Sequence, residues 1–161
     1  MIELGAGCGL VGIAAAILSA KQVTLTDLAY AIPLMQENLI KNRENIPAIT
    51  KVECEVCDWF TATWSNTFAG QEKYDVILVA DCVWVKELVD PLLRIMKELI
   101  ISCGEKTKII ISYQRRGKDA HDLFYSSLLQ HFEVDEIDLD TAFEEYELPN
   151  IFYLFECTYK K

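Results

Sequence analysis

Glu3-Leu4-Gly5-Ala6-Gly7-Cys8-Gly9, followed by the apolar run Leu10 to Ala20, decides how this chain is read. An acidic residue stands directly before three alternating glycines, and a helix-like segment begins where they end. Glycine lets a backbone turn sharply and come close to a ligand where a side chain would collide. The start of the following helix presents unpaired N–H groups and the positive end of the helix dipole. The stretch therefore reads as a loop for a nucleotide-type ligand, set between a first strand, Met1 to Leu4, and a first helix.

A rival reading uses the same letters. Gly7-Cys8-Gly9-Leu10-Val11-Gly12 is a formal G-x-G-x-x-G with Asp27 about twenty residues on, as in dinucleotide-binding folds. That register carries the strand through Gly5 and Ala6 and places Glu3 inside a buried parallel strand, where a carboxylate is costly. Ending the strand at Leu4 instead puts Glu3 at its carboxyl edge, facing a ligand. A Gly-rich turn with no ligand is the remaining alternative.

With 161 residues, 52% of them apolar, the chain is long enough for one domain with a real core and too short for two. Its formal charge of −10 argues against a nucleic-acid surface, which needs clustered Lys and Arg. An acidic surface suits a basic partner, or serves solubility alone. Cys8, Cys54, Cys57, Cys82, Cys103 and Cys157 lack the paired spacing of a secreted disulfide framework and read as reduced thiols. Cys54-x-x-Cys57 is the one close pair, and His121 and His131 are not spaced to complete a zinc site, so no metal is expected. The longest apolar run is too short for a bilayer, and no basic flank of a signal peptide precedes it. These features predict an intracellular, soluble protein, cytoplasmic or nuclear, that binds neither membrane nor nucleic acid.

The rest of the chain alternates strand and helix patterns. Gln22 to Thr26 is β-rich and ends in Asp27, which brings a second carboxylate to the edge where Glu3 is expected. An acid there can accept from both hydroxyls of a ribose, or cap the helix that follows, or both. Ala31 to Glu44 is helical in pattern, with Pro33 tolerable in the first turn. Lys51 to Val56 reads as strand 3, followed by Cys57-Asp58-Trp59-Phe60, and Thr61 to Lys73 as a polar connector. Tyr74 to Ala80 is a buried strand ending in Asp81-Cys82-Val83-Trp84. Val85 to Ile101 is an amphipathic helix with Gly104 at its stop, Thr107 to Tyr113 a strand and Ala120 to His131 a helix. Phe132 to Leu139 and Ile151 to Tyr159 form a final strand pair around an acidic loop holding Glu144, Glu145 and Glu147.

The glycine stretch and this element order resemble the seven-strand S-adenosylmethionine-dependent methyltransferases, whose first motif is acidic-x-Gly-x-Gly-x-Gly. Glu3 to Gly12, Asp58-Trp59 and Asp81-Cys82-Val83-Trp84 further resemble the non-histone protein lysine methyltransferases, methyltransferase family 16, with Trp84 standing where that branch has a Tyr. The resemblance covers nearly the whole chain. It implies an α/β, Rossmann-like, doubly wound sheet in the order 3-2-1-4-5-7-6, mostly parallel with an antiparallel C-terminal hairpin strand. It implies S-adenosylmethionine as cofactor, contacted by Glu3, Gly5, Gly7, Gly9, Asp27, Leu28, Asp58, Trp59 and Ala80. Asp81 and Trp84 become the catalytic candidates, Tyr113 an acceptor-side contact, and the partner a protein that presents a lysine to a monomeric enzyme. Family members place a helix ahead of strand 1, so the beginning reads as cut off.

Methyl transfer to an amine is an in-line displacement, and the enzyme has mainly to align the reactants and exclude water. Lysine has a pKa of about 10.4, so a proton must leave before attack. Asp81 could hold the ammonium and Trp84 offer a cation–π face, but a carboxylate also opposes deprotonation, which casts Asp81 as an orienting group. Packing alone could explain Trp59, Trp84 and Tyr113. Arg115 and Arg116 read as solvated surface charge or else as part of a substrate loop, and the acidic loop as solvated or as an attractant for a basic protein substrate. Three functions stay open: an active lysine methyltransferase on a shortened chain, a methyltransferase with a small-molecule or other protein acceptor, and a cofactor-binding fold that acts by interaction.

Overall fold

A computed structural model describes residues 1–67, 73–139 and 151–160. Seven strands form one sheet: β1 (Ile2–Leu4), β2 (Gln22–Asp27), β3 (Lys51–Val56), β4 (Val76–Ala80), β5 (Lys108–Gln114), β6 (Phe132–Glu136) and β7 (Phe152–Tyr159). Their order is β3-β2-β1-β4-β5-β7-β6, parallel from β3 to β5, with β7 antiparallel to both β5 and β6. This is the expected fold. Glu144, Glu145 and Glu147 lie outside the described residues.

Helices cover both faces: α1 (Leu10–Ile17), α2 (Ile32–Lys41), a single turn α3 (Trp64–Thr67), α4 (Val89–Cys103) and α5 (Lys118–His131). Alternation along each strand divides the core in two. Ile2, Leu4, Ile77 and Val79 face α4 and α5 with Leu92, Ile95, Met96, Leu99 and Phe124. Val23 and Leu25 face the other way, onto Ile13 and Ala16 of α1 and Met35 of α2. Burying strands on both sides explains why β4 reads as a continuous apolar run.

Helix ends differ from expectation for identifiable reasons. α1 stops at Ile17 instead of Ala20 because Ser19 turns left-handed at φ 73°. Ser19 N–H then donates to the Ala16 carbonyl and Ala20 N–H to the Ala15 carbonyl, a glycine-free Schellman ending. α4 starts at Val89 instead of Val85, which keeps Pro91 in the first turn, where its missing N–H costs nothing.

α1 lies close on the sheet because Gly12 has no side chain. A Cβ there would stand 2.1 Å from Leu25 Cδ2 and 2.7 Å from Glu3 Oε2. Gly12→Ala is expected to destabilise the chain by about 1–3 kcal/mol through overpacking, read as a lowered urea midpoint with an unchanged slope.

Candidate functional site

Strand order reverses at β1, which has β2 on one side and β4 on the other, so the loops leaving these strands diverge and open a crevice at their carboxyl ends. The cleft found there draws Gly5 from β1, Asp27, Leu28 and Tyr30 from β2, Cys57 to Phe60 from β3, and Asp81, Cys82, Trp84 and Leu88 from β4. Of the sequence-predicted residues, Gly5, Asp27, Leu28, Asp58, Trp59, Asp81 and Trp84 thus come together.

Gly5, Gly7 and Gly9 all have positive φ, at 68°, 56° and 83°, a conformation that strains any L side chain. Gly7 and Gly9 shape the loop without lining the cleft. Gly7 N–H donates to Asp27 Oδ2 at 2.8 Å, and Leu28 N–H to Asp27 Oδ1 at 2.7 Å. Asp27 therefore ties the glycine loop to β2, and each oxygen keeps lone-pair capacity for a ligand hydroxyl. At Gly5 a Cβ would fall 2.8 Å from both Trp59 Cζ2 and Cys82 Sγ. The indole and the thiol close directly onto bare backbone.

Glu3 departs from expectation. It is the middle residue of β1, paired with Leu25 and Leu78, 2% exposed, and does not line the cleft. Pleating turns its side chain toward α1, where Oε2 accepts the Gly12 N–H at 2.7 Å. The cost of burying a carboxyl in a parallel strand is partly met by a helix N-terminus, which offers a donor and a favourable dipole. Burial nevertheless pushes its pKa up to about 7, opposed by the Gly12 bond and reinforced by the Asp27 charge.

The thiols at the cleft are held neutral. Burial, with help from nearby carboxylates, pushes Cys57 and Cys82 up to about 12. Cys82 Sγ donates to the Leu4 carbonyl at 3.2 Å. Neither is placed to act as a thiolate nucleophile at neutral pH. Among the described residues, no group of three His, Cys, Asp or Glu could hold a metal ion.

Asp58 and Trp59 are bracketed from behind by α4. Arg94 donates to the Trp59 carbonyl and pairs with Glu98 at 2.8 Å, while Glu98 Oε2 accepts the Trp64 N–H at 2.9 Å. Asp58 Oδ1 accepts the Phe60 N–H at 3.0 Å, closing the turn that carries the indole. Trp59 Nε1 is buried without a partner among the described residues. Sequence reasoning missed Arg94 and Glu98, although their i, i+4 spacing on the amphipathic α4 pattern was a usable signal.

Asp81 follows β4 in a left-handed conformation, φ 53°, with its N–H on the Ser112 carbonyl at 2.7 Å. Its Oδ2 pairs with Arg116, a residue the sequence reads first as surface charge and second as part of a substrate loop. Trp84 is 58% exposed at the cleft mouth, near Tyr30 and Phe60, also exposed; this is not the packed position open to it from sequence. Ala80 and Tyr113 lie outside the cleft. They border a second, mainly apolar groove with Asp81, Ser112, Gln114, Phe152 and Tyr153. Tyr113 is 3% exposed, stacks on Tyr153 and hydrogen-bonds His121 Nδ1 at 2.8 Å, so its hydroxyl is engaged within the core. Asp81 is common to both cavities.

A sequence model described as lysine methyltransferase matches residues 1–131. The chain belongs to the lysine methyltransferase family. Protein N-lysine methyltransferase METTL21A of Danio rerio is 36% identical over 143 residues, covering 88% of this chain and 61% of that protein. EEF1A lysine methyltransferase 3 of Mus musculus is 33% identical over 136 residues, covering 84% of this chain and 54% of that protein. This family member thus spans less than two thirds of the length of these relatives. Among solved structures, the glycopeptide N-methyltransferase MtfA complexed with S-adenosyl-L-homocysteine superposes with TM-score 0.70 at 10% identity, over 99% of this chain and 82% of that one. It shares the fold.

Two outcomes follow from the buried acid and the bracket. A Glu3 pKa raised from 4.5 to about 7 means that the folded state binds the extra proton between those values. The stability this confers is full below about pH 4.5 and is lost as pH rises through 7, by roughly 3 kcal/mol. Urea titrations from pH 5 to 8 should show Glu3→Gln with a flatter stability profile than the wild type. Arg94→Ala should cost about 1–2 kcal/mol and red-shift tryptophan fluorescence as the Trp59 turn loosens.

Proposed function

We propose that this chain binds S-adenosylmethionine and transfers its methyl group to a lysine side chain of a non-histone protein. The observation that carries the reading is the meeting of Gly5, Asp27, Asp58 and Asp81 in one cleft of a chain that belongs to the lysine methyltransferase family. MtfA was solved with S-adenosyl-L-homocysteine, and the Danio rerio and Mus musculus relatives are named for lysine methylation. We read residues 1–161 as one methyltransferase domain, monomeric and cytoplasmic, without nucleic-acid or membrane partners. Six free cysteines and a formal charge of −10 support that part of the reading.

The cleft fits the cofactor on its own chemistry. Asp27 offers lone pairs for two ribose hydroxyls, and Leu28 and Trp59 offer apolar walls for a purine. Gly5 has no side chain to push the Trp59 indole and the Cys82 thiol outward into the cleft, and the orphan Trp59 N–H is a donor in need of an acceptor. Gly7 and Gly9 hold the loop in shape, and Glu3 anchors the helix behind it. Asp58, at the end of β3, suits an exocyclic amine. Ala80 precedes Asp81 at the turn from β4 and supports the acceptor side.

When bound, the cofactor supplies an electrophilic methyl group on a sulfonium sulfur. The chain's part is to hold and orient an amine. Asp81 accepts hydrogen bonds from the arriving ammonium, and the exposed face of Trp84 stacks against its charge or its methylene stem. Tyr113 acts on the acceptor side by supporting the second groove from beneath, since its hydroxyl already belongs to His121. No side chain is required as a nucleophile, in keeping with neutral Cys57 and Cys82.

Calorimetric titration with S-adenosyl-L-homocysteine should give micromolar binding, weakened at least tenfold by Asp27→Ala, about 1.4 kcal/mol for the lost hydroxyl contacts. Asp81→Asn should leave that binding intact and cut label transfer to proteins of an extract. Label accepted only by a metabolite pool would point to a small-molecule acceptor, and binding without transfer to an interaction role.

A further inference from the structure

Arg116 bears on how the acceptor amine loses its proton. A carboxylate that greets a lysine ammonium also holds its proton in place, and only the neutral amine can attack. Asp81 does not stand alone in this: Asp27 and Asp58 line the same cleft, and Glu3 is buried against the first turn of α1. The remaining titratable groups around the two cavities are Tyr30, Cys57 and Cys82 on the cleft side and Tyr113 and Tyr153 on the groove side, none of them cationic. No Lys or Arg is among the described residues that line either cavity. Among the described residues, Arg94 hydrogen-bonds the Trp59 carbonyl and Glu98, from behind the β3 turn. Among the described residues, the cation that pairs with Asp81 is Arg116, through Oδ2.

Geometry makes this pair more than a chance surface contact. The Asp81 backbone is held in a left-handed turn by its N–H on the Ser112 carbonyl, so its side chain leaves the chain where the cleft and the groove meet. Arg116 comes from the segment after β5, the neighbouring strand, which puts it at the same sheet edge. Oδ1 makes no hydrogen bond to any described residue, and the Asp81 side chain is about half exposed.

We propose that Arg116 is a positioning residue for the acceptor amine: its guanidinium offsets the Asp81 charge, so the carboxylate orients the amine through Oδ1 without locking it in the protonated form. The inference rests on the methyltransferase reading. Its effect is modest, because both partners are about half exposed and water screens them.

Sinefungin, an S-adenosylmethionine analogue with an amine-bearing carbon in place of the methylated sulfur, puts an amine near where the methyl group would stand. S-Adenosyl-L-homocysteine is its amine-free control. Both are titrated calorimetrically into the whole chain as wild type, Arg116→Gln and Arg116→Lys at pH 7 and low salt. S-Adenosyl-L-homocysteine should bind all three alike. Sinefungin should bind Arg116→Gln roughly twofold to fivefold more tightly relative to that control, because the unmasked carboxylate holds its ammonium better. Arg116→Lys should restore the wild-type ratio, and 0.5 M salt should shrink the difference. Titrations in buffers of different ionisation enthalpy should show more protons retained by bound sinefungin in Arg116→Gln. A sinefungin-to-control ratio unchanged or reversed in Arg116→Gln, with the control still bound, overturns the role of Arg116 alone. A wild-type chain that binds neither ligand overturns the cofactor reading and this inference with it.

Discussion

The carboxylate of Glu3, buried in the middle of β1, meets the Gly12 N–H at 2.7 Å, and the arrangement of the cleft depends on that contact. It joins the central strand to the first turn of α1 across a glycine that has no Cβ to interfere. With both ends of the intervening loop held, Gly5 to Gly9 have little freedom in where they turn. Asp27 then fastens the loop sideways to β2 through the Gly7 N–H. A buried carboxyl is an expensive way to anchor a helix, and its elevated pKa measures the expense. What the contact provides in return is a helix N-terminus and a bare backbone edge at one end of a rigid sheet, which are the two things a nucleoside-type ligand requires.

Around that edge the protein uses acids at strand ends and supports them differently. Asp27 is tied by backbone N–H groups, Asp58 closes its own turn, and Asp81 is paired with a side chain from the next strand's loop. The first two are held by main chain and are accordingly rigid. Asp81 has a partner that can rotate away, which suits a group that meets a changing acceptor more than one that grips a constant ligand. Trp59 shows the same logic from behind, since the Arg94–Glu98 pair fixes the backbone on either side of its turn and leaves the indole to face the cleft.

Much of the architecture was legible from sequence because it depends on local patterns. Strand alternation, helical spacing and the punctuation at Pro33 and Gly104 located all seven strands and their order through resemblance to a known fold. Helix ends were less legible. Ser19 takes a left-handed turn without being a glycine, and its two hydrogen bonds exist only once α1 is formed.

The sequence by itself brought Asp27, Asp58 and Asp81 to the carboxyl edge, since residues at or just past the end of a strand emerge there, while Glu3, expected there too, lies inside its strand. Glycine spacing likewise determined the loop, because Gly5, Gly7 and Gly9 take positive φ without the strain an L side chain would bring. Tertiary structure alone decided what each side chain faces. Glu3 turned inward because the pleat of β1 and the closeness of α1 left it nowhere else to go, and Tyr113 turned into an aromatic cluster built from β7 and α5. Arg116 reached Asp81 across 35 positions of chain, a contact that requires β4 and β5 to lie side by side. Periodicity encodes the face of an element, while contacts between elements depend on the packing of the whole sheet, and no single stretch of sequence carries that information.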